Sequence, residues 1–135
     1  MVWKDNYVFD NGNNQSILAP LEYVDFSNID FTNYNSKTDY SVSNYRIFRS
    51  TALTRLYMWK NNGINLNFSC NPLDYISIKY LLTNSLLDLS STTSKTVVFS
   101  KTSYDIIKKN ELESEFAKLN WNIAYVEDPT KDYTF

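Results

Sequence analysis

The sequence predicts an α/β chain, a short solenoid of parallel strands and helices preceded by an irregular N-terminal arm or cap. Three observations carry this. Ile64 to Ser69 alternates apolar and polar residues, and two short β-rich bursts, Thr96 to Ser100 and Asn122 to Val126, follow further along, so three strands are expected. Runs with helical apolar spacing separate them. Leu66 and Val97 lie 31 residues apart, and Val97 and Ile123 lie 26 apart. Connections of that length are too long for hairpins and long enough for crossovers, so the strands should run parallel. A coil recurring every roughly 25 to 30 residues buries little alone and is stabilised by the neighbour it stacks on.

Residues 1–48 form the predicted arm or cap, a candidate attachment segment. Leu21 to Tyr34 alternates partly, with Tyr23, Asp25 and Ser27 opposite Val24 and Phe26, and fits short strands or an extended arm. Thr32 to Tyr45 is polar and aromatic and reads as loop. The strand-helix domain spans 49–126. Leu53, Leu56 and Met58 fall on one side of its first stretch, and Lys60 to Gly63 is a turn, because Asn and Gly tolerate positive φ. In the strand that follows, Ile64, Leu66 and Phe68 face inward and Asn65, Asn67 and Ser69 outward. A helix is expected from about Pro72 to Leu87. Asn71 is its candidate N-cap and Pro72 sits in its first turn, where a missing N–H is no loss. Ser90 to Lys95 connects to the Thr96–Ser100 strand. Lys101 to Trp121 contains a further helix, with Asn110 as N-cap, Leu112, Phe116 and Leu119 inward, and Asn120 as a left-handed C-cap. Residues 127–135 read as a C-terminal tail.

The composition excludes much chemistry. The 135 residues carry a net charge of -2 with no basic block, so nothing offers the positive stripe that displaces counterions from nucleic acid. The Tyr75 to Leu89 stretch is too short and too polar to span a bilayer, and Met1 to Gln15 lacks the apolar core of a signal peptide. One cysteine, Cys70, forms no intrachain disulfide and reads as a small buried hydrophobe. There is no histidine, which removes the commonest general base and metal ligand and any Ser-His-Asp or Cys-His arrangement. Two glycines cannot build a phosphate loop. No cofactor, no metal site and no enzymatic activity are expected.

Carboxylates do cluster with lysines, at Asp105, Glu111, Glu113 and Glu115 with Lys108, Lys109 and Lys118. A paired-carboxylate hydrolase needs two such groups across a cleft, and a solvated helix face explains them more simply. Glu127 to Pro129 reads as a turn rather than a weak Ca²⁺ ligand set. The eleven tyrosines, with frequent Asn and Ser, match the mixture binding surfaces use, although an AT-rich genome yields the same bias. The candidate partner-binding surface is Arg55, Tyr57, Trp59, Asn65 and Asn67, read as outward positions of the first strands. Trp121 is expected to seal the end of the solenoid.

From Arg49 to Val126 the order of elements resembles the BspA-type leucine-rich repeat modules found in bacterial surface proteins and in phage tail or fibre proteins. The resemblance rests on Asn71-Pro72-Leu73, Leu86-Leu87-Asp88-Leu89, the Ser90–Lys95 tract, Lys95-Thr96-Val97, Ser114 to Leu119 and Trp121-Asn122-Ile123. The chain departs from that pattern at Asn120, where Gly is typical. The resemblance implies a leucine-rich-repeat-like solenoid and a structural or adhesion role without catalysis. The expected function is therefore a structural component of a bacteriophage particle, at a tail fibre, head fibre or baseplate. Its expected partners are other virion proteins and copies of itself, with a host-surface glycan or protein as a further one. It would be made in the host cytoplasm and located in the virion, without nucleic-acid binding or membrane insertion. The alternative is a stand-alone bacterial binding module at the cell surface that recognises glycan or protein.

Overall fold

The computed structural model describes residues 21–30, 50–61, 63, 65–129 and 133. The loop expected at Thr32 to Tyr45 and the inward Ile64 lie outside them, as does most of the tail. The described chain is mixed α/β, with short parallel strands in two small sheets. Strands β1 (Tyr23–Asp25) and β2 (Arg55–Tyr57) form the first. The second has the order β3 (Leu66–Phe68), β4 (Lys95–Ser100), β5 (Trp121–Val126). Its register places Leu66 beside Val97 and Val97 beside Ile123, the three positions whose spacing predicts parallel crossovers.

Segment 21–30 is part of this body. Val24 lies in the core, the Phe26 N–H donates to the Tyr57 carbonyl at 2.7 Å, and the Lys60 N–H donates to the Ile29 carbonyl at 3.0 Å. After β3 come helix α1 (Tyr75–Tyr80) and a π-helical turn over Leu81–Ser85. The expected helix is therefore shorter and differently capped. Asp74 is the N-cap, its carboxylate accepting from the Ser77 N–H. Asn71 instead turns inward, and its Nδ2 donates to the Ser50 carbonyl at 2.8 Å. Helix α2 (Lys101–Lys109) begins directly at β4, with Ser100 capping the Ser103 N–H. Asn110 caps the C-terminal end of α2 and not the start of α3 (Glu113–Lys118).

Helix α1 runs beside β2 where a third strand of the first sheet would lie, and serine hydroxyls replace the missing ladder. The Leu56 N–H donates to Ser77 Oγ at 2.8 Å, and Ser85 Oγ donates to the Met58 carbonyl at 2.8 Å. Backbone polar groups buried with these strands need such partners. A second line of side-chain bonds links successive passes at one corner. Ser50 Oγ donates to Leu21 O, Asn71 Nδ2 to Ser50 O, and Ser100 Oγ to Asn71 O, each at 2.8 Å. At the opposite corner Asn120, left-handed at φ 61° as expected, donates from Nδ2 to the Leu89 and Thr92 carbonyls at 3.0 and 3.1 Å. Glycine in its place would keep the backbone and lose both bonds. Gly63 ends its turn at φ +83°, and a Cβ there would meet Leu89 at 3.2 Å.

The core between these passes is apolar, with Leu53, Leu56, Leu66, Phe68, Phe99 and Phe116 closed to solvent. Phe99 stacks on Phe68 at 6.2 Å and meets Phe116 of α3 edge-on at 5.6 Å. Trp121 is buried and donates from Nε1 to the Leu87 carbonyl at 2.8 Å, giving its polar handle a partner. Cys70 is buried, with Sγ 3.5 Å from the Pro129 carbonyl, so the segment after β5 passes against it.

Candidate partner-binding surface

Strand alternation sets Arg55 and Tyr57 on the outward face of β2 and Leu56 in the core. The parallel register puts Tyr23 beside Arg55 and Asp25 beside Tyr57. Tyr57 thereby meets Tyr23 edge-on at 5.9 Å, and on its other side meets Tyr80 of α1 edge-on at 5.0 Å. Three tyrosines form a row across β1, β2 and α1, with Tyr23 58% exposed at its end. Arg55 borders the row, its Nε donating to Asp74 Oδ2 at 2.9 Å and its Nη1 to the Tyr57 hydroxyl at 3.3 Å. The guanidinium is thus held in place before any partner arrives, which lowers the ordering cost of binding.

Burial pushes the Asp74 carboxyl up, but the Ser77 N–H and hydroxyl and the Arg55 guanidinium outweigh it and hold the carboxyl below its ordinary value. A folded pKa below the unfolded one contributes stability above the unfolded value, about 3.9. That contribution is lost as pH falls through the folded value. Asp74→Ala should cost about 0.5–2 kcal/mol near neutrality through the lost cap. The gap to the wild type should narrow on acidification through the range below about pH 4. Urea melts across that range check this, and a gap of constant size would assign the cost to something other than the ionised carboxylate.

The other expected surface residues lie elsewhere. Trp59 is 5% exposed and packs against Phe26 at 5.4 Å. Asn67 is 2% exposed, its Oδ1 accepting from the Ser69 N–H. These two placements correct the outward reading: Trp59 lies beyond the end of β2, where the alternation stops and Met58 and Trp59 are both buried, and Asn67 lies on β3, whose two faces are both covered. Asn65 is half-buried and its Oδ1 accepts from the Thr96 N–H at 2.8 Å, joining β3 to the start of β4. The structure therefore brings Arg55 and Tyr57 together and separates them from Trp59, Asn65 and Asn67. It adds Tyr23, Asp74 and Tyr80, which the sequence reading missed. Tyr23 and Tyr57 are both outward strand residues, diagonal to one another across β1 and β2, a relation that the unassigned register concealed.

The charged groups of α2 and α3 are ordinary surface. Asp105 pairs with Lys101, Glu113 with Lys108 and Glu115 with Lys118, all exposed enough to be solvent-screened. Tyr104 stacks on Tyr125 at 4.2 Å, with the Lys101 ammonium 6.0 and 5.5 Å from the two ring centres. Among the described residues no three His, Cys, Asp or Glu side chains converge as a metal site, and no helix is long and apolar enough to cross a membrane. No protein-family model matches the chain, and no curated protein and no solved structure does.

Proposed function

We propose that the chain is a non-enzymatic structural or adhesion component of a bacteriophage particle, built as a short leucine-rich-repeat-like solenoid and working through protein–protein contacts. The observation that carries the contact role is the row Tyr23–Tyr57–Tyr80 with its fixed Arg55–Asp74 border. Tyrosine and arginine supply much of the energy of interfaces, and here they sit preorganised on a rigid face. The parallel passes and their corner hydrogen bonds support the solenoid reading. The place in a virion, at a tail fibre, head fibre or baseplate, rests on the resemblance of residues 49–126 alone. Other virion proteins and further copies of the chain are the partners of this reading.

The test is incorporation into particles by Tyr23→Ala and Arg55→Ala, with the melting midpoint of each purified variant measured alongside. Loss of one interfacial anchor should weaken assembly about tenfold or more while the fold survives. Full incorporation of both variants would remove the row from the interface. A cleft beside Tyr80 favours a second reading, a stand-alone bacterial module that recognises glycan or protein.

A further inference from the structure

The β1–β2 pass ends in the parallel bridge between Asp30 and Lys60. At this bridge lies a cleft of about 310 Å³, lined by the apolar Ile29 and Met58 and by the polar Ser27, Asn28, Asp30, Lys60, Tyr80 and Asn84. That volume is at the small end of pockets that hold small molecules, about 300–1,000 Å³, so it suits one or two sugar rings and no helix. Four of its polar groups make no hydrogen bond or ion pair among the described residues: the Asn28 amide, the Lys60 ammonium, the Tyr80 hydroxyl and Asn84 Oδ1. Asn84 is oriented by its own Nδ2, which donates to Thr83 Oγ1 at 2.8 Å. Tyr80 is held edge-on by Tyr57.

We propose that this cleft is a saccharide subsite for a neutral hexose or N-acetylhexosamine unit. The electron-rich face of a tyrosine ring attracts the C–H bonds of a pyranose. Amide and hydroxyl groups, able to donate and accept, match vicinal sugar hydroxyls. Two amides, a phenol, a serine and the Asp30–Lys60 pair of opposite charges beside Ile29 and Met58 form a site with both properties. A phosphate or carboxylate ligand would ask for converging cations, and the lining offers one, Lys60, beside the Asp30 carboxylate. The subsite deepens the adhesion side of the proposed function. It rests on the chain being a binding module and not on its place in a particle.

The experiment is saturation-transfer NMR on the whole chain with methyl glycosides of glucose, galactose, mannose and N-acetylglucosamine and their trisaccharides, with glucuronic acid and inorganic phosphate as the charged arm. A neutral sugar should bind with a Kd of roughly 0.1–1 mM. Asn84→Ala should weaken it about threefold to tenfold and Tyr80→Ala by more than about tenfold, with Tyr80→Phe between the wild type and Tyr80→Ala. Asn84 is exposed, so its variant should melt with the wild type, and it decides the matter if Tyr80→Ala fails to fold. Three outcomes overturn the proposal: no transfer from any neutral sugar at about 10 mM, binding untouched by Asn84→Ala and Tyr80→Phe, or binding confined to glucuronic acid or phosphate and abolished by Lys60→Ala. Sugar binding by the isolated chain stands or falls without the particle assay, so the failure of either reading is distinguishable from that of the other.

Discussion

Phe99→Ala should lower the stability of the domain by about 3–5 kcal/mol, the largest effect expected of any single truncation here. Phe99 is closed to solvent near the C-terminal end of β4, the middle strand of its sheet. Its ring joins two layers, stacking on Phe68 of β3 and meeting Phe116 of α3 edge-on. Removing it opens a cavity that neither neighbour can fill, because Phe68 is tied into the parallel ladder beside it and Phe116 is fixed by its own helix. A domain of this size has about 5–15 kcal/mol in total, so the variant should melt ~10–20 °C lower. Phe99→Leu keeps most of the volume and should cost under half as much. Urea denaturation followed by circular dichroism measures both. A cost under about 1 kcal/mol for Phe99→Ala would mean that Phe99 does not join β3 to α3.

The strands were legible because the feature that marks them survives folding. Leu66, Val97 and Ile123 stand in one row since crossover length decides strand orientation whatever the packing. The left-handed conformations at Gly63 and Asn120 were legible for a similar reason, a backbone requirement that few residue types meet. What failed was the outward reading of Trp59 and of the polar residues along β3. Asn67 and Ser69 alternate with apolar residues, yet both are buried, because β3 is covered on both faces as strands of parallel sheets usually are. Asn71 has the residue type of a cap and was read as one, but a longer-range bond to the Ser50 carbonyl claims its side chain. Asp74 then takes the cap, and α1 starts later. Asn110 has the residue type of a helix N-cap, but α2 already begins at Lys101, behind the Ser100 cap, and Asn110 closes its end. The Tyr23–Tyr57–Tyr80 row joins residues from three segments, so it became visible only once β1 was known to lie on β2. The serines of α1 and of the π-helical turn after it are the signal that periodicity passes over. Ser77 and Ser85 sit among the buried positions of an apolar helix face, where small hydroxyl residues have little reason to be unless something across the interface needs a hydrogen bond.

That need separates two substitutions that look alike on paper. Ser77→Ala should cost about 2–3 kcal/mol, and Ser69→Ala about zero or slightly less than zero. Both serines are fully buried. Ser77 Oγ accepts from the Leu56 N–H at 2.8 Å, and its one proton is shared between the Thr54 carbonyl at 3.1 Å and Asp74 Oδ1 at 2.8 Å. Truncation strands the Leu56 N–H in the core, beside a leucine with no access to water, and weakens the cap that starts α1. An orphaned buried donor costs its full desolvation, about 1–3 kcal/mol, and the lost cap adds to that. Ser69 Oγ has no partner among the described residues, so Ser69→Ala removes a hydroxyl whose desolvation cost nothing there repays. Urea melts of the two variants give the energies. Amide hydrogen exchange locates the cause, because the Leu56 N–H should exchange faster in Ser77→Ala and at the wild-type rate in Ser69→Ala once global stability is allowed for. Equal losses in both variants would mean that volume alone matters at these positions. The helix would then lie against β2 by packing alone, and the serine hydroxyls would not complete the edge of the first sheet.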